Sequence, residues 1–144
     1  MNVNNILATK PVEGVIMIPP DTRLADAAAL LVEKRIGAVV ISATGDSIEG
    51  IISERDIVRE LARRGPACLD LSVSHAMTRR LTTCTPGDTA QSVLSRMTEG
   101  RFRHMPVMDG TKMIGIISIG DVVKARLDDL AMEKDALESM IMGF

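Results

Sequence analysis

Apolar and polar positions alternate in blocks along this chain. Val15-Ile16-Met17-Ile18 is a short apolar run closed by two prolines, and it predicts a strand. Behind it, Leu24, Ala27, Ala28 and Leu31 fall on one face of a 3.6-residue period. They predict a helix over residues 22–35, with Asp21-Thr22 as its N-cap signal. Residues 38–42 and 48–52 read as two further strands, and residues 54–64 as a second helix broken by Gly65-Pro66. One β-α-β-β-α unit is complete at that point.

The same order then recurs. Leu81-Thr82-Thr83-Cys84 is a more polar version of the first strand, and residues 89–99 form the next helix, stopped by Gly100 as a C′ residue. Strands at 104–108 and 113–117 are joined by an Asp109-Gly110 turn. Residues 50–58 read GIISERDIV and residues 115–123 read GIISIGDVV, identical at six of nine positions. Glu33 and Arg35 recur as Glu99 and Arg101 at a spacing of 66, and Asp21-Thr22 as Asp88-Thr89 at 67. The expected fold class is therefore α/β (α+β). It has two pseudo-twofold-related β-α-β-β-α repeats packed through their sheets, plus a C-terminal helix. The expected divisions are residues 1–66, including a short N-terminal helix, residues 67–127, and a helical tail at 128–144, with 65–72 linking the repeats. No Gly or Pro occurs between Asp121 and Met142, so the last helix extends or re-forms there. Val123, Leu127, Leu130, Leu137 and Ile141 recur at helical spacings interrupted by Lys134. Packing on its own domain and a dimer contact both fit that pattern.

Composition narrows the function classes. A chain of 144 residues that is 46% hydrophobic suits a compact unit, not a large enzyme domain plus a regulator. A net charge of -2 gives no pull toward nucleic acid or an anionic membrane. Phe102 and Phe144 are the only aromatic residues, which argues against base-stacking single-strand readers, and ten Met supply core volume instead. Cys68 and Cys84 form no CxxC, and His75 and His104 stand apart from them, so reduced thiols and no metal are expected. Residues 1–10 are mostly polar and lack the long apolar stretch of a signal peptide, and no apolar run approaches a membrane span of about 20 residues. A cytoplasmic protein is expected. GxxxxGK, GxGxxG, HExxH and GxSxG are all absent and neither cysteine has an adjacent base, so no enzyme is expected.

The repeated Ser-x-x-Asp, Ser53 to Asp56 and Ser118 to Asp121, stands at each strand-to-helix junction. It reads as a capping box, although such boxes usually carry Glu or Gln at the last place. The same geometry suits a ligand. A helix N-terminus attracts phosphate, and a first-turn carboxylate can accept two adjacent sugar hydroxyls. The two roles are compatible.

The doubled unit, with Gly-Ile-Ile-Ser-x-x-Asp in each copy and Arg-His-Met-Pro-Val in the second, resembles a tandem cystathionine-β-synthase (CBS) domain pair, or Bateman module, of the free-standing bacterial type. The likeness runs from about Ile6 to Leu127. It implies binding of adenosyl ligands (AMP, ADP, ATP, S-adenosylmethionine, NAD or NADH) in clefts between the repeats. By that resemblance Asp56 and Asp121 hold ribose hydroxyls, Ser53 and Ser118 lie beside the ribose-phosphate, and Arg55 pairs with phosphate. Gly120 replaces Arg55 in the second copy, so the two clefts are expected to differ. Adenine would be enclosed by Ile18, Gly37 and Ala38 in one copy and by Thr85, His104 and Met105 in the other. Arg103 and His104, next to Arg101, form a cationic cluster suited to ligand phosphate, whereas the Arg63-Arg64 and Arg79-Arg80 pairs read as solvated surface. His75 belongs to a short helix entering the second copy. The implied function is a regulatory module, a homodimer acting in trans on an unidentified regulated protein. The alternative is a dimerisation scaffold whose Ser-x-x-Asp motifs only cap helices.

Overall fold

The computed structural model describes residues 1–10 and 15–143. Its elements are α1 (Val3–Thr9), β1 (Met17–Ile18), α2 (Leu24–Lys34), β2 (Ala38–Ile41), β3 (Gly50–Ser53), α3 (Glu54–Arg64), α4 (Ala90–Gly100), β4 (His104–Asp109), β5 (Lys112–Ser118) and α5 (Ile119–Ile141). Two 3-10 turns, Pro66–Asp70 and Val73–His75, lie between α3 and α4. In the first repeat β1 runs parallel to β2, and β2 antiparallel to β3, with Val39 opposite Ile52 and Val40 opposite Ile51. In the second repeat β4 and β5 form a hairpin. Its first strand is reduced to one parallel bridge from Cys84 to Val107, because Thr82 and Thr83 lack the apolar side chains that hold Met17–Ile18 in place.

The chain folds as two compact units that do not follow chain order. In one, Leu24, Ala27 and Leu31 of α2 pack with Val39, Ile41, Ile52 and Ile57. Cys68, Val73 and Met77 complete that core, so residues 66–77 are a packed part of the first repeat and not a loose linker. In the other unit, Ala90, Val93 and Met97 of α4 pack with Met105, Val107, Ile117 and Val122. The equivalent positions exchange Leu31 for Met97 and Val39 for Met105, which shows methionine filling core volume. Val3 and Ile6 of α1 are buried in this second core, although α1 precedes the first repeat in sequence.

Three local expectations change. Asp21-Thr22 does not cap α2: its N-cap is Arg23, without a side-chain bond, and the Thr22 carbonyl instead accepts the Val73 N–H. In the second repeat Thr89 does cap α4, accepting from the Ser92 N–H. Gly100 is not the left-handed residue that ends α4. Arg101 (φ 56) takes that conformation, as Arg35 (φ 53) does after α2. Gly100 stays helical, and a Cβ there would collide with the Phe102 ring, so the glycine serves close approach. The turn of the β4–β5 hairpin is Gly110-Thr111, one residue later than expected, with Gly110 at φ +63.

The last helix does extend, as one continuous α5. Val122 and Ala125 anchor its first turns, whereas Leu127, Leu130, Met132, Leu137, Met140 and Ile141 are exposed. Among the described residues, no helix is long and apolar enough to cross a membrane.

Candidate functional site

Each repeat carries a Gly-Ile-Ile-Ser strand that runs directly into a helix, so the serine becomes the N-cap and the aspartate falls at N3. Both Ser-x-x-Asp motifs are complete capping boxes. Ser53 Oγ accepts the Asp56 N–H at 3.3 Å, and Asp56 Oδ2 accepts the Ser53 N–H at 2.9 Å. Ser118 Oγ accepts the Asp121 N–H at 3.2 Å, and Asp121 Oδ2 accepts the Ser118 N–H at 2.9 Å. The shorter aspartate reaches its own N-cap as the usual glutamate does.

The two carboxylates differ in everything beyond the box. Asp56 is buried and accepts two more hydrogen bonds at Oδ1, from Thr78 Oγ1 at 3.1 Å and Arg59 Nη1 at 3.2 Å. A further bond from Ser53 Oγ reaches Oδ2 at 2.9 Å. Asp121 is more open, and its remaining partner is the ammonium of Lys10, 2.8 Å from Oδ2. Burial pushes the Asp121 carboxyl up, but the Lys10 ammonium and the Ser118 N–H outweigh it and hold the group below its ordinary value of 3.8.

The expected cations are placed as follows. Arg55 is exposed in the first turn of α3, without an ion pair among the described residues. At its counterpart Gly120, a Cβ would meet only Ser118 Oγ at 3.7 Å. Arg103 is exposed just before β4, and His104 is half-buried at its start. The carbonyls of Gly37 and Arg103 accept the first helical N–H groups, from Glu54 at 3.1 Å and Ile119 at 2.8 Å. Arg63 and Arg64 are not only solvated surface, since both flank the buried Glu60 carboxylate, at 3.6 and 2.9 Å.

Among the residues expected near adenine, Ile18 is half-buried on β1 and its carbonyl accepts the Ser42 N–H. Ala38 is buried on β2 opposite Ser53. Thr85 is exposed and tied to Asp88, donating from its N–H at 3.0 Å and from Oγ1 at 3.1 Å. Met105 corrects the expectation of a thioether wall: its side chain is 0% exposed within the second core, because that position replaces Val39 as core filling. His75 closes a 3-10 turn and lies 3.0 Å from Ser72 Oγ.

Sequence pattern alone did not point to Lys10, Thr78 or Arg59, which touch the two carboxylates from outside the capping boxes. Thr78 forms a two-way backbone bridge with Ile51, and Lys10 Nζ reaches the carbonyl of Ile116, the counterpart of Ile51. Laying Ala8-Thr9-Lys10 over Ala76-Met77-Thr78, at a spacing of 68, makes Lys10 and Thr78 equivalent. That match was legible but short. The glycine that leads each motif sits in close quarters: a Cβ at Gly50 would stand 2.8 Å from the Thr78 carbonyl oxygen, and one at Gly115 2.7 Å from Leu7 Cδ2.

Comparison with known proteins agrees with this architecture. The CBS domain family model matches residues 3–63 and 73–128, and the chain belongs to that family. A mitochondrial CBS domain-containing protein of Arabidopsis thaliana, CBSX3, is 34% identical over 127 residues, covering 85% of this chain; the chain spans 62% of that relative's length. The crystal structure of a CBS-domain containing protein from Agrobacterium tumefaciens is 42% identical, with a TM-score of 0.84, covering 88% of this chain and 99% of that one. CBSX2, solved in complex with AMP, is 26% identical with a TM-score of 0.70, covering 88% of this chain and 96% of that one. CBS pairs of this kind are regulatory modules and not enzymes.

Proposed function

We propose that the chain is a cytoplasmic regulatory module that binds adenosine-containing nucleotides, of the AMP, ADP, ATP or NAD type, and signals to a regulated protein by a change of conformation. Asp56 and Asp121 receive ribose hydroxyls, Ser53 and Ser118 flank the ribose-phosphate, and Arg55, Arg103 and His104 take phosphate. Ile18, Gly37, Ala38, Thr85 and His104 lie beside the base. The observation that carries this reading is the duplicated capping box, which puts a carboxylate in the first turn of a helix, at its positive end, in both α3 and α5. The AMP bound by CBSX2 supports the ligand class. The module works as a homodimer, with the tail beyond residue 128 available to the second copy because its apolar residues are exposed.

A thermal-melt panel with AMP, ADP, ATP, NAD, NADH and S-adenosylmethionine tests it, read by dye because the chain has no Trp or Tyr. A ligand at 100 times its Kd adds about 2.7 kcal/mol, or roughly 5–15 °C. The completeness of both capping boxes favours a second reading, a scaffold whose motifs only cap helices. No shift with any of these nucleotides, in protein freed of co-purified ligand, decides for the scaffold.

A further inference from the structure

We propose that Lys10 is a positioning residue that makes Asp121, and not Asp56, the principal ligand-holding carboxylate; the inference rests on the nucleotide reading above. The two carboxylates begin from the same capping box and are then finished by non-equivalent residues. At Asp56 the finishing residue is neutral Thr78, and with Arg59 and Ser53 it leaves a carboxylate with four hydrogen bonds, two on each oxygen, and a side chain 5% exposed. A ribose hydroxyl reaching Asp56 must displace a bond that is already made.

At Asp121 the hydrogen bonds from the Ser118 N–H and Lys10 Nζ converge on Oδ2, and the side chain is 26% exposed. Lys10 is itself held in place, because Nζ also donates to the Ile116 carbonyl at 2.8 Å. Two of its three ammonium donors are thereby used, so it fixes the carboxylate rotamer. Its charge also cancels that of Asp121, removing the repulsion a lone carboxylate would exert on a nucleotide phosphate. Gly120 deprives the second repeat of the first-turn cation that Arg55 supplies in the first. Lys10 restores a cation from a different element.

The test is calorimetric titration of the full chain with AMP and, separately, ATP, for the wild type, Lys10→Met, Lys10→Arg, Thr78→Val, Asp56→Asn and Asp121→Asn. Lys10→Met weakens binding about tenfold and Lys10→Arg recovers it to within about threefold. Thr78→Val leaves the affinity unchanged. Asp121→Asn loses at least about ten times more affinity than Asp56→Asn. In Lys10→Met the acid limb of the affinity profile moves to higher pH, as the Asp121 carboxyl returns toward its ordinary range; a purely structural lysine would not move it. Lys10→Met binding as well as or better than the wild type, or Asp56→Asn losing the most, overturns the proposal. A wild type that binds neither nucleotide overturns the nucleotide reading itself, and the inference with it, before any variant is compared.

Discussion

Glu60 of α3 occupies the place that Ala125 of α5 holds in the second repeat, and both are buried, at 6% and 3% exposure. One copy has put a carboxylate where the other has a methyl group. Arg64 Nε stands 2.9 Å from Glu60 Oε2, and Arg63 Nη1 3.6 Å from Oε1. Oε2 nevertheless makes no hydrogen bond of good geometry.

A buried ion pair of that kind adds little net stability, but breaking it from one side leaves a stranded charge. Glu60→Ala, which copies the second repeat, leaves unpaired only the exposed Arg63 and Arg64 guanidinium groups, and is therefore expected to cost less stability than loss of both arginines, which strands the buried carboxylate. Replacing Arg63 and Arg64 together by Ala is expected to destabilise. Urea melts of both variants check the order, and equal losses in the two would contradict this account.

Asp56→Asn and Asp121→Asn are unequal probes of the fold. The first removes a buried carboxylate from four donors and should cost about 2–3 kcal/mol, whereas the second weakens one helix cap at about 1 kcal/mol. Calorimetric melts should show a clearly larger fall in Tm for Asp56→Asn. Ligand-affinity losses in these variants must be read against that difference.

The glycines that open the two motifs face different obstacles. A Cβ at Gly50 meets the backbone carbonyl of Thr78 as well as Met77 Sδ at 2.9 Å, and neither can retreat without moving the bridge to Ile51. At Gly115 the obstacle is the far end of Leu7, which can change rotamer. Gly50→Ala should cost roughly 2–3 kcal/mol and Gly115→Ala under about 1. Chemical denaturation of the two single variants decides it.

Titration should narrow stability from both ends of the pH scale. The Asp88 carboxyl is held low, first by the Thr85 N–H and also by the Arg96 guanidinium, and Asp121 is held low as described. Their contribution is present above the ordinary value of 3.8 and is lost as pH falls through the lower folded values. Burial pushes the Cys84 thiol up to about 11, so its contribution holds below the unfolded value of 9.0 and is lost as pH rises toward 11. Melts across the range should decline on the acid side below about pH 4, less steeply in Asp121→Asn. At pH 8 neither buried cysteine should react with a thiol reagent until the chain unfolds.

The proposed homodimer places its demand on the outer half of α5. Leu137 and Ile141, 58% and 84% exposed, lie four residues apart on one side of the helix. Leu137→Asp combined with Ile141→Asp should convert a dimer into a monomer in light scattering after gel filtration, with little change in helical content. A dimer that survives both substitutions has its interface elsewhere.

Much of this protein was determined by local sequence. Helical and strand periods, the Gly65-Pro66 break and the doubled GIIS motif are enough to place α2, β2, β3 and α3 and their counterparts, because each depends on neighbours a few residues away. The Ser-x-x-Asp boxes were legible for the same reason. Tertiary structure decided the rest. Burial of Met105 and of α1 in the second core depends on which apolar surface each segment covers, a choice made between parts of the chain far apart in sequence. The inequality of Asp56 and Asp121 arises in the same way, since Thr78 and Lys10 reach them across 22 and 111 residues. Capping is a property of adjacent residues, but what closes over a cap depends on how the whole chain folds back on itself.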